Sequence, residues 1–189
     1  MLGHDEKIVW FDRELLIWVA SARSDALNGI MVDLTALGSP AIVTLLASLF
    51  FVVFLLLKDR LSAFHLLGAV IGGSLLNRLF KSAIARERPT IVPQLIEVSG
   101  FSYPSGHTLF ATTIYLTLAI IAVRHFPHPG QRLTIFALSG CVIGLVGFSR
   151  IYLGVHYPSD VASGLLLGAS WAFVVSAFIV KIRPAKTRP

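Results

Sequence analysis

Five long stretches of this chain contain no Asp, Glu, Lys or Arg, and this absence of charge restricts the possible folds most strongly. The stretches are Pro40–Leu57, Leu61–Leu76, Thr108–Val123, Leu133–Phe148 and Val161–Val180. Each approaches the roughly 20 residues with which a helix crosses a bilayer, where the backbone must satisfy its own hydrogen bonds. With 55% hydrophobic residues and a mean hydropathy of +0.77, the chain is too apolar for a soluble domain. We predict an all-α, polytopic membrane helix bundle with five clear spans.

The first 39 residues differ because charges interrupt their apolar pattern. Apolar positions recur at helical spacing from Glu6 to Met31, but five charged residues lie among them: Asp12, Arg13, Glu14, Arg23 and Asp25. Each would cost about 2.5–3.5 kcal/mol at the centre of a bilayer. An amphipathic helix in the interface, with Trp10 and Trp18 at headgroup level, fits better. We expect residues 1–39 to form an amphipathic or first membrane helix, making six helices in all, and residues 40–189 to form the transmembrane domain that carries the functional site.

Five alternating spans would bring three polar segments to one side of the membrane. These segments are Lys81–Tyr103, Pro104–His107 and Ser149–Asp160. That side and the opposite side each carry eight Lys and Arg residues, so a simple positive-inside count does not decide the orientation. If Lys81, Arg88 and Arg150 are reserved for function, the counts become eight against five. We therefore expect the three segments to face the periplasmic or extracellular side of a cell (inner) membrane.

The Ser149–Asp160 stretch combines an arginine, a histidine and a carboxylate. His156 and Asp160 are four positions apart, which predicts that they share one face at the start of a helix. A carboxylate bonded to one ring nitrogen would fix the tautomer and leave the other nitrogen basic. Arg150, one turn earlier, could hold an anion in front of that nitrogen. Taken alone, the stretch could equally be a polar loop capped by Asp160.

The neighbouring polar segments supply the remaining parts of an anion site. Lys81, Arg88 and Arg150 would bring three cations together, and arginine binds phosphate oxygens as a two-pronged donor. Ser105 and Gly106 open a helix whose free N–H groups favour an anion, and His107 adds a second imidazole. This set predicts phosphoryl transfer in which His156 attacks phosphorus and His107 protonates the leaving oxygen. No carboxylate cluster or Cys/His set has metal-ligand spacing, so we expect a metal-free reaction without a cofactor.

Together the three segments resemble the signature of the type 2 phosphatidic acid phosphatase family. The matching motifs are Lys81-x6-Arg88-Pro89, Pro104-Ser105-Gly106-His107 and Ser149-Arg150-x5-His156-x3-Asp160. The resemblance implies that Lys81, Arg88 and Arg150 bind phosphate with Ser105 and Gly106, that His107 is the general acid, that His156 is the nucleophile and that Asp160 orients it. The short loop between the first two motifs is similar to that of compact bacterial members acting on phosphatidylglycerophosphate or undecaprenyl diphosphate.

Several functions remain compatible with the sequence. The alternatives within the family are a lipid A phosphatase, a phosphotransferase and, less suited to a five-span protein, a vanadate peroxidase; outside enzymes, the same cations could serve an anion transporter. The basic residues lie at helix ends, where lipid headgroups explain them better than nucleic acid, and no obligate protein partner is evident. Arg78 and Arg86 could support the site or contact headgroups. We expect His65 and Trp171 to be packing residues, and His4, His125 and His128 to have no catalytic role.

Overall fold

The computed structural model describes residues 6–182, so His4 and the basic tail at 183–189 lie outside the described residues. Within that range the chain forms helices and no strand, which confirms the all-α class. Besides a short 3-10 turn at Val123–His125, there are seven α-helices: α1 Glu6–Ser21, α2 Asp25–Ala36, α3 Pro40–Leu56, α4 Arg60–Ile84, α5 Gly106–Ala122, α6 Pro129–Tyr152 and α7 Pro158–Ile182.

Four of these helices are individually long and apolar enough to cross a membrane, namely α4, α5 with its 3-10 extension, α6 and α7. The prediction of five clear spans was therefore slightly wrong, because α3 has only 17 residues. Joined to α2 across a 43° bend, α3 gives a fifth candidate span. The multi-pass membrane bundle itself is confirmed.

The N-terminal region contains two helices where the sequence predicted one, so residues 6–182 form seven α-helices and not six. The interruption lies at residues 22–24, where the Ser24 side chain caps α2 by accepting from the Leu27 amide. The break between α2 and α3 also ends at a serine cap, since the Ser39 side chain caps α3 and Pro40 occupies its first turn. A proline there fits a helix start because its missing N–H would be unbonded anyway.

Helix α5 lies at the centre of the bundle and packs against α3, α4, α6 and α7. Two glycines allow α7 to approach it closely: a Cβ at Gly164 would lie 2.6 Å from the Ser105 carbonyl oxygen, and one at Gly168 would lie 2.8 Å from that of Leu109. Only a residue without a side chain permits this approach. As a result the starts of α5 and α7 lie side by side, and the Ser105 amide donates to the Asp160 carbonyl at 3.0 Å.

The outer surface of the bundle is apolar, as expected for helices that face lipid. Large exposed side chains are distributed over the outer helices, among them Leu49, Leu75, Leu138, Leu166 and Phe178. The buried charged side chains Asp12, Arg150 and Asp160, together with His156, instead lie at one end, where α4 and α6 finish and α5 and α7 begin. Helix α1 packs against α6 and α7, and it brings Asp12 to this same end.

Candidate active site

The structure brings all eight predicted site residues to one end of the bundle. Lys81 comes from the last turn of α4 and Arg88 from the loop that follows. Ser105, Gly106 and His107 form the start of α5, and Arg150 lies in the last turn of α6. His156 lies in the turn between α6 and α7, while Asp160 belongs to the first turn of α7. The predicted convergence of three separate segments is thus present in the fold.

His156 is the more deeply buried of the two histidines in the site. It is 2% exposed, with Nδ1 3.5 Å from Asp160 Oδ2 and Nε2 3.3 Å from Arg88 Nη1. The Nδ1 distance is longer than an ordinary hydrogen bond, and Nδ1 has no other bonding partner within residues 6–182. Burial lowers the pKa of His156 to about 4, with Arg150 and Arg88 adding to the effect and Asp160 opposing it. The ring is therefore neutral at neutral pH and retains a free lone pair.

The predicted placement of His156 on a helix needs one correction. Helix α7 begins at Pro158, so His156 precedes the helix and meets Asp160 from the turn. Asp160 Oδ2 also accepts from the Tyr157 amide at 2.9 Å, which holds the carboxylate back towards that turn. The four-residue spacing is still the one that brings ring and carboxylate together, but through a capping turn and not a helix face.

Asp160 is completely buried, and its other carboxylate oxygen has a charged partner. Its Oδ1 accepts from Arg86 Nη1 at 2.7 Å, and Arg86 Nη2 donates to Asp12 Oδ2 at 2.8 Å. The sequence left open whether Arg86 supports the site or contacts headgroups, and these ion pairs assign it to the site. Asp12 was missed, although one signal was available: it lies on the same helical face as Leu16 and Val19, the buried stripe of α1.

Three cations of the site have no carboxylate counter-ion within the described part of the chain. Arg150 is 2% exposed; its Nη1 donates to Thr35 Oγ1 at 2.9 Å, and its buried Nε has no partner. Arg88 donates to the carbonyls of Ser99, Gly100 and Val155. Lys81 Nζ donates to Phe101 O at 2.6 Å and Pro104 O at 3.2 Å. Backbone carbonyls and one hydroxyl orient these cations but carry no counter-charge, and Asp160, whose charge reaches Lys81 and Arg88, is already paired with Arg86.

The start of α5 completes the surroundings of the cations. Ser105 is fully buried, and its Oγ lies 2.9 Å from Thr108 Oγ1. Gly106 is the first helical residue, where amide groups lack helical acceptors and favour an anion. His107 is half-buried, close enough to Arg150, Arg88 and Lys81 for their charges to act on it. Within residues 6–182, no group of three or more His, Cys, Asp or Glu could hold a metal ion.

The other residues considered from sequence lie outside this cluster. His65 is buried towards the opposite end with its Nε2 2.9 Å from Ser176 Oγ, which confirms a packing role with its polar atom satisfied. The Trp171 indole packs against Gly72 and donates to the carbonyls of Gly68 and Ala69. His125 and His128 lie in or beside the α5–α6 connection at the far end.

The fold and site define a multi-pass membrane protein with a largely buried cluster of cations flanked by two imidazoles at one end of the bundle. Residues 61–184 match the PAP2 superfamily model, and the chain belongs to the PAP2 superfamily. It is 36% identical over 169 residues to phosphatidylglycerophosphatase B of Bacillus subtilis, covering 85% of this chain and 79% of that protein. It is 30% identical over 189 residues to the undecaprenyl-diphosphatase of Sulfolobus acidocaldarius, covering 96% and 84% of the two chains.

A solved structure extends the similarity to three dimensions. The fold matches the crystal structure of a transmembrane PAP2-type phosphatidylglycerolphosphate phosphatase from Bacillus subtilis with a TM-score of 0.88 and 32% sequence identity. The match covers 96% of this chain and 90% of the other. The N-terminal helices are therefore part of the shared fold, in addition to the region that the family model covers.

Proposed function

We infer that this protein is an integral-membrane lipid phosphatase, and that it hydrolyses a phosphate monoester or diphosphate through a phosphohistidine at His156. The observation that carries the inference is the set of three cations, Lys81, Arg88 and Arg150, that form no salt bridge with a carboxylate within the described chain. Burying uncompensated charge is costly, so such a site is suited to a ligand that brings several negative charges. A phosphate group does so with a geometry that arginine binds well.

The first chemical step transfers the phosphoryl group from the lipid to the histidine. His156 Nε2 attacks phosphorus, the P–O bond to the lipid breaks, and His107 gives its proton to the departing lipid oxygen. Arg88 and Arg150 stabilise charge on the non-bridging oxygens, together with the amides at the start of α5. Asp160 stabilises the positive charge that develops on the His156 ring, as the carboxylate of a catalytic triad does.

The second step returns the enzyme to its starting state. His107, which has lost its proton, accepts one from a water molecule while that water attacks phosphorus. The P–N bond to His156 breaks and inorganic phosphate leaves. The bound phosphate also helps the first step, because its negative charge lies among the cations around His107 and stabilises the protonated form of that ring.

The apolar parts of the molecule support a lipid as the carrier of the phosphate. A groove of about 500 Å³ runs between α3 and α4, lined by apolar side chains such as Phe51, Leu67 and Ile71. It does not include the reacting residues, but Arg78 lines it and precedes Lys81 by three positions, one helical turn away. A hydrocarbon tail in this groove would hold the phosphate end of a lipid near Lys81.

The names of two relatives support a first choice of substrates to test. They are named for phosphatidylglycerophosphate and undecaprenyl diphosphate, so these two lipids, with phosphatidate, are the substrates we propose to test first. We also propose that the site faces the periplasmic or extracellular side of the cell membrane. The support is the count of Lys and Arg, which favours the opposite side as cytoplasmic once the three phosphate-binding cations are set aside.

The test is phosphate release by the purified protein in detergent micelles, with radiolabelled phosphatidylglycerophosphate, undecaprenyl diphosphate, phosphatidate and lipid A as substrates. We expect His156→Asn to abolish release, while His125→Asn, a matched change at the far end, retains it. His107→Asn should slow both steps and accumulate a protein-bound label that is stable in base and lost in acid, as phosphohistidine is. Full turnover by the His156 variant would overturn the assignment, as would phosphate uptake into sealed vesicles without hydrolysis.

A further inference from the structure

A chain of buried ion pairs connects the N-terminal helix to the catalytic histidine. Asp12 of α1 pairs with Arg86 at 2.8 Å, and Arg86 pairs with Asp160 at 2.7 Å. Asp160 in turn lies next to His156. Asp12 and Asp160 are 1% and 0% exposed, so this chain is shielded from water along most of its length.

Asp12 is held from two directions in addition to Arg86. Its Oδ1 accepts from the Ser159 amide at 2.8 Å, and its Oδ2 accepts a short hydrogen bond from the Ser159 hydroxyl. The apolar neighbours of Asp12 on α1, Leu16 and Val19, pack into a cluster with Tyr152, at the end of α6, and Val155, in the turn that carries His156. The carboxylate is therefore placed against the first turn of α7 by packing as well as by charge.

Arg86 is fixed in a single orientation between the two carboxylates. Its guanidinium carbon lies 3.9 Å from the centre of the Tyr157 ring, over its face, and Nη1 also donates to Ser159 Oγ. Burial lowers the pKa of Arg86, but hydrogen bonding and charge from Asp12 and Asp160 more than offset this and raise it. The guanidinium is thus a permanent cation whose two outer nitrogens each serve one carboxylate.

We propose that Arg86 and Asp12 are positioning residues for the reaction, acting on His156 through Asp160. Arg86 occupies Asp160 Oδ1, so that Oδ2 is the oxygen left to face His156 Nδ1, and Asp12 fixes Arg86 in the orientation that does so. The inference rests on the proposed function. It makes α1 a contributor to turnover, although neither Asp12 nor Arg86 touches the phosphate.

The alternative is that the ion pairs only attach α1 to the bundle. Kinetic measurements distinguish this structural role from a positioning role. A positioning role affects the chemical step, because without Arg86 the Asp160 carboxylate stays beside His156 but is no longer fixed in the orientation that faces Nδ1. Phosphate binding depends on Lys81, Arg88 and Arg150, which this change does not touch. A positioning role therefore lowers kcat with little change in KM, whereas a purely structural attachment lowers the amount of folded protein and leaves its kcat intact.

The experiment measures phosphate release from phosphatidylglycerophosphate in detergent micelles by the full-length protein. For Arg86→Gln we expect kcat to fall about 10–100-fold, the range typical when a group that orients a metal-bound residue is removed, with KM within about threefold. Arg86→Lys should recover little, because an ammonium group cannot serve both carboxylates as the planar guanidinium does. Asp12→Asn should give a smaller fall in kcat, whereas Glu14→Gln, an exposed acid on the same helix, should match the wild type.

A double variant tests whether Asp12 acts through Arg86, and a pH profile tests whether Arg86 acts on His156 through the charge of Asp160. Asp12→Asn combined with Arg86→Gln should lose about as much kcat as Arg86→Gln alone, because both changes act through one chain. Without Arg86 the Asp160 charge is less compensated, so the acid limb of kcat/KM should move upward by up to about one pH unit. The charged or titratable groups facing His156 that remain in place in this comparison are Asp160, Arg150, Arg88 and His107.

Folding is checked for each variant by its elution in detergent and its melting temperature. Should Arg86→Gln fail to fold, the nearly isosteric Asp12→Asn decides: a lower kcat in folded protein supports the proposal, and a wild-type kcat overturns it. Wild-type kcat in folded Arg86→Gln also overturns it, and so does a change confined to KM. A wild-type protein that releases no phosphate from any lipid would instead overturn the proposed function, and this inference with it.

Discussion

Two buried histidines at opposite ends of the bundle have similar immediate surroundings. His156 lies 3.5 Å from an Asp160 oxygen and 3.3 Å from an Arg88 nitrogen. His65 lies 2.9 Å from the Ser176 hydroxyl and 3.5 Å from an Arg124 nitrogen. Each ring therefore has an oxygen on one side and a guanidinium on the other, and neither is more than 2% exposed.

The two histidines differ in the further contacts of the groups that lie next to each ring. The Ser176 hydroxyl already donates to the Ala172 carbonyl, so it accepts from His65 and forms a neutral, locally satisfied pair. Asp160 instead carries a full charge that Arg86 and the Tyr157 amide hold in place. Around His156 the arginines Arg88 and Arg150 also lack carboxylate partners within the described residues. A buried histidine next to an arginine therefore does not indicate a nucleophile by itself, whereas unbalanced positive charge around a ring with an oriented carboxylate does.

Replacing the residue that supplies the oxygen next to each histidine should give the largest difference in kcat between the two ends. Asp160→Asn removes the charge that stabilises the His156 ring during attack and can turn the ring to the wrong tautomer, so we expect kcat to fall by about 10³–10⁴-fold, as in a catalytic triad. Ser176→Ala removes one buried hydrogen bond and should cost about 1 kcal/mol of stability, with kcat within about twofold of wild type. Steady-state phosphate release and melting temperatures in detergent measure both. Equal losses of kcat at the two ends would show that the comparison is mistaken.

The pH dependence of kcat/KM sharpens the comparison on the His156 side. The pKa of about 4 keeps this ring unprotonated well below neutrality, whereas an ordinary histidine titrates near pH 6.5. The nucleophile needs its free lone pair, so activity is lost as pH falls through the pKa of the folded protein. We expect kcat/KM to stay near its maximum down to about pH 5. If the nucleophile were a histidine of ordinary pKa, kcat/KM would already have fallen about 30-fold at that pH. A fall in kcat/KM centred near pH 6.5 would mean that the pKa of His156 is not lowered by its surroundings.

The sequence predicted the site better than the region that supports it, for a physical reason. Each signature residue lies at or near the end of a helix, and the apolar runs place those ends on one side of the membrane. Local spacing is then enough to bring Lys81, His107 and His156 to the same place. Spacing is informative here because the topology of a membrane bundle leaves few alternatives.

The N-terminal region could not be predicted in the same way because its contacts are distant in sequence. Asp12 and Arg86 are separated by 74 positions, and Thr35 and Arg150 by 115. The helical periodicity of α1 identifies a buried face, but it does not show that the acid on that face has a cationic partner. Ser39-Pro40 is a typical helix start, but it does not show that Gly38, at the bend between α2 and α3, packs against the His107 carbonyl.

The smallest expected effect comes from changing His65 itself. In His65→Gln the side-chain amide can still donate to Ser176, so the polar pair persists and stability should change by less than about 1 kcal/mol. The kcat should stay within about twofold of wild type, although the same substitution at His156 removes the nucleophile. Phosphate release and the melting temperature of the purified variant provide the measurement, with Trp171→Phe as a second packing change nearby. A large loss of kcat in folded His65→Gln would mean that the far end takes part in turnover, and that charge imbalance around His156 is not what distinguishes the two rings.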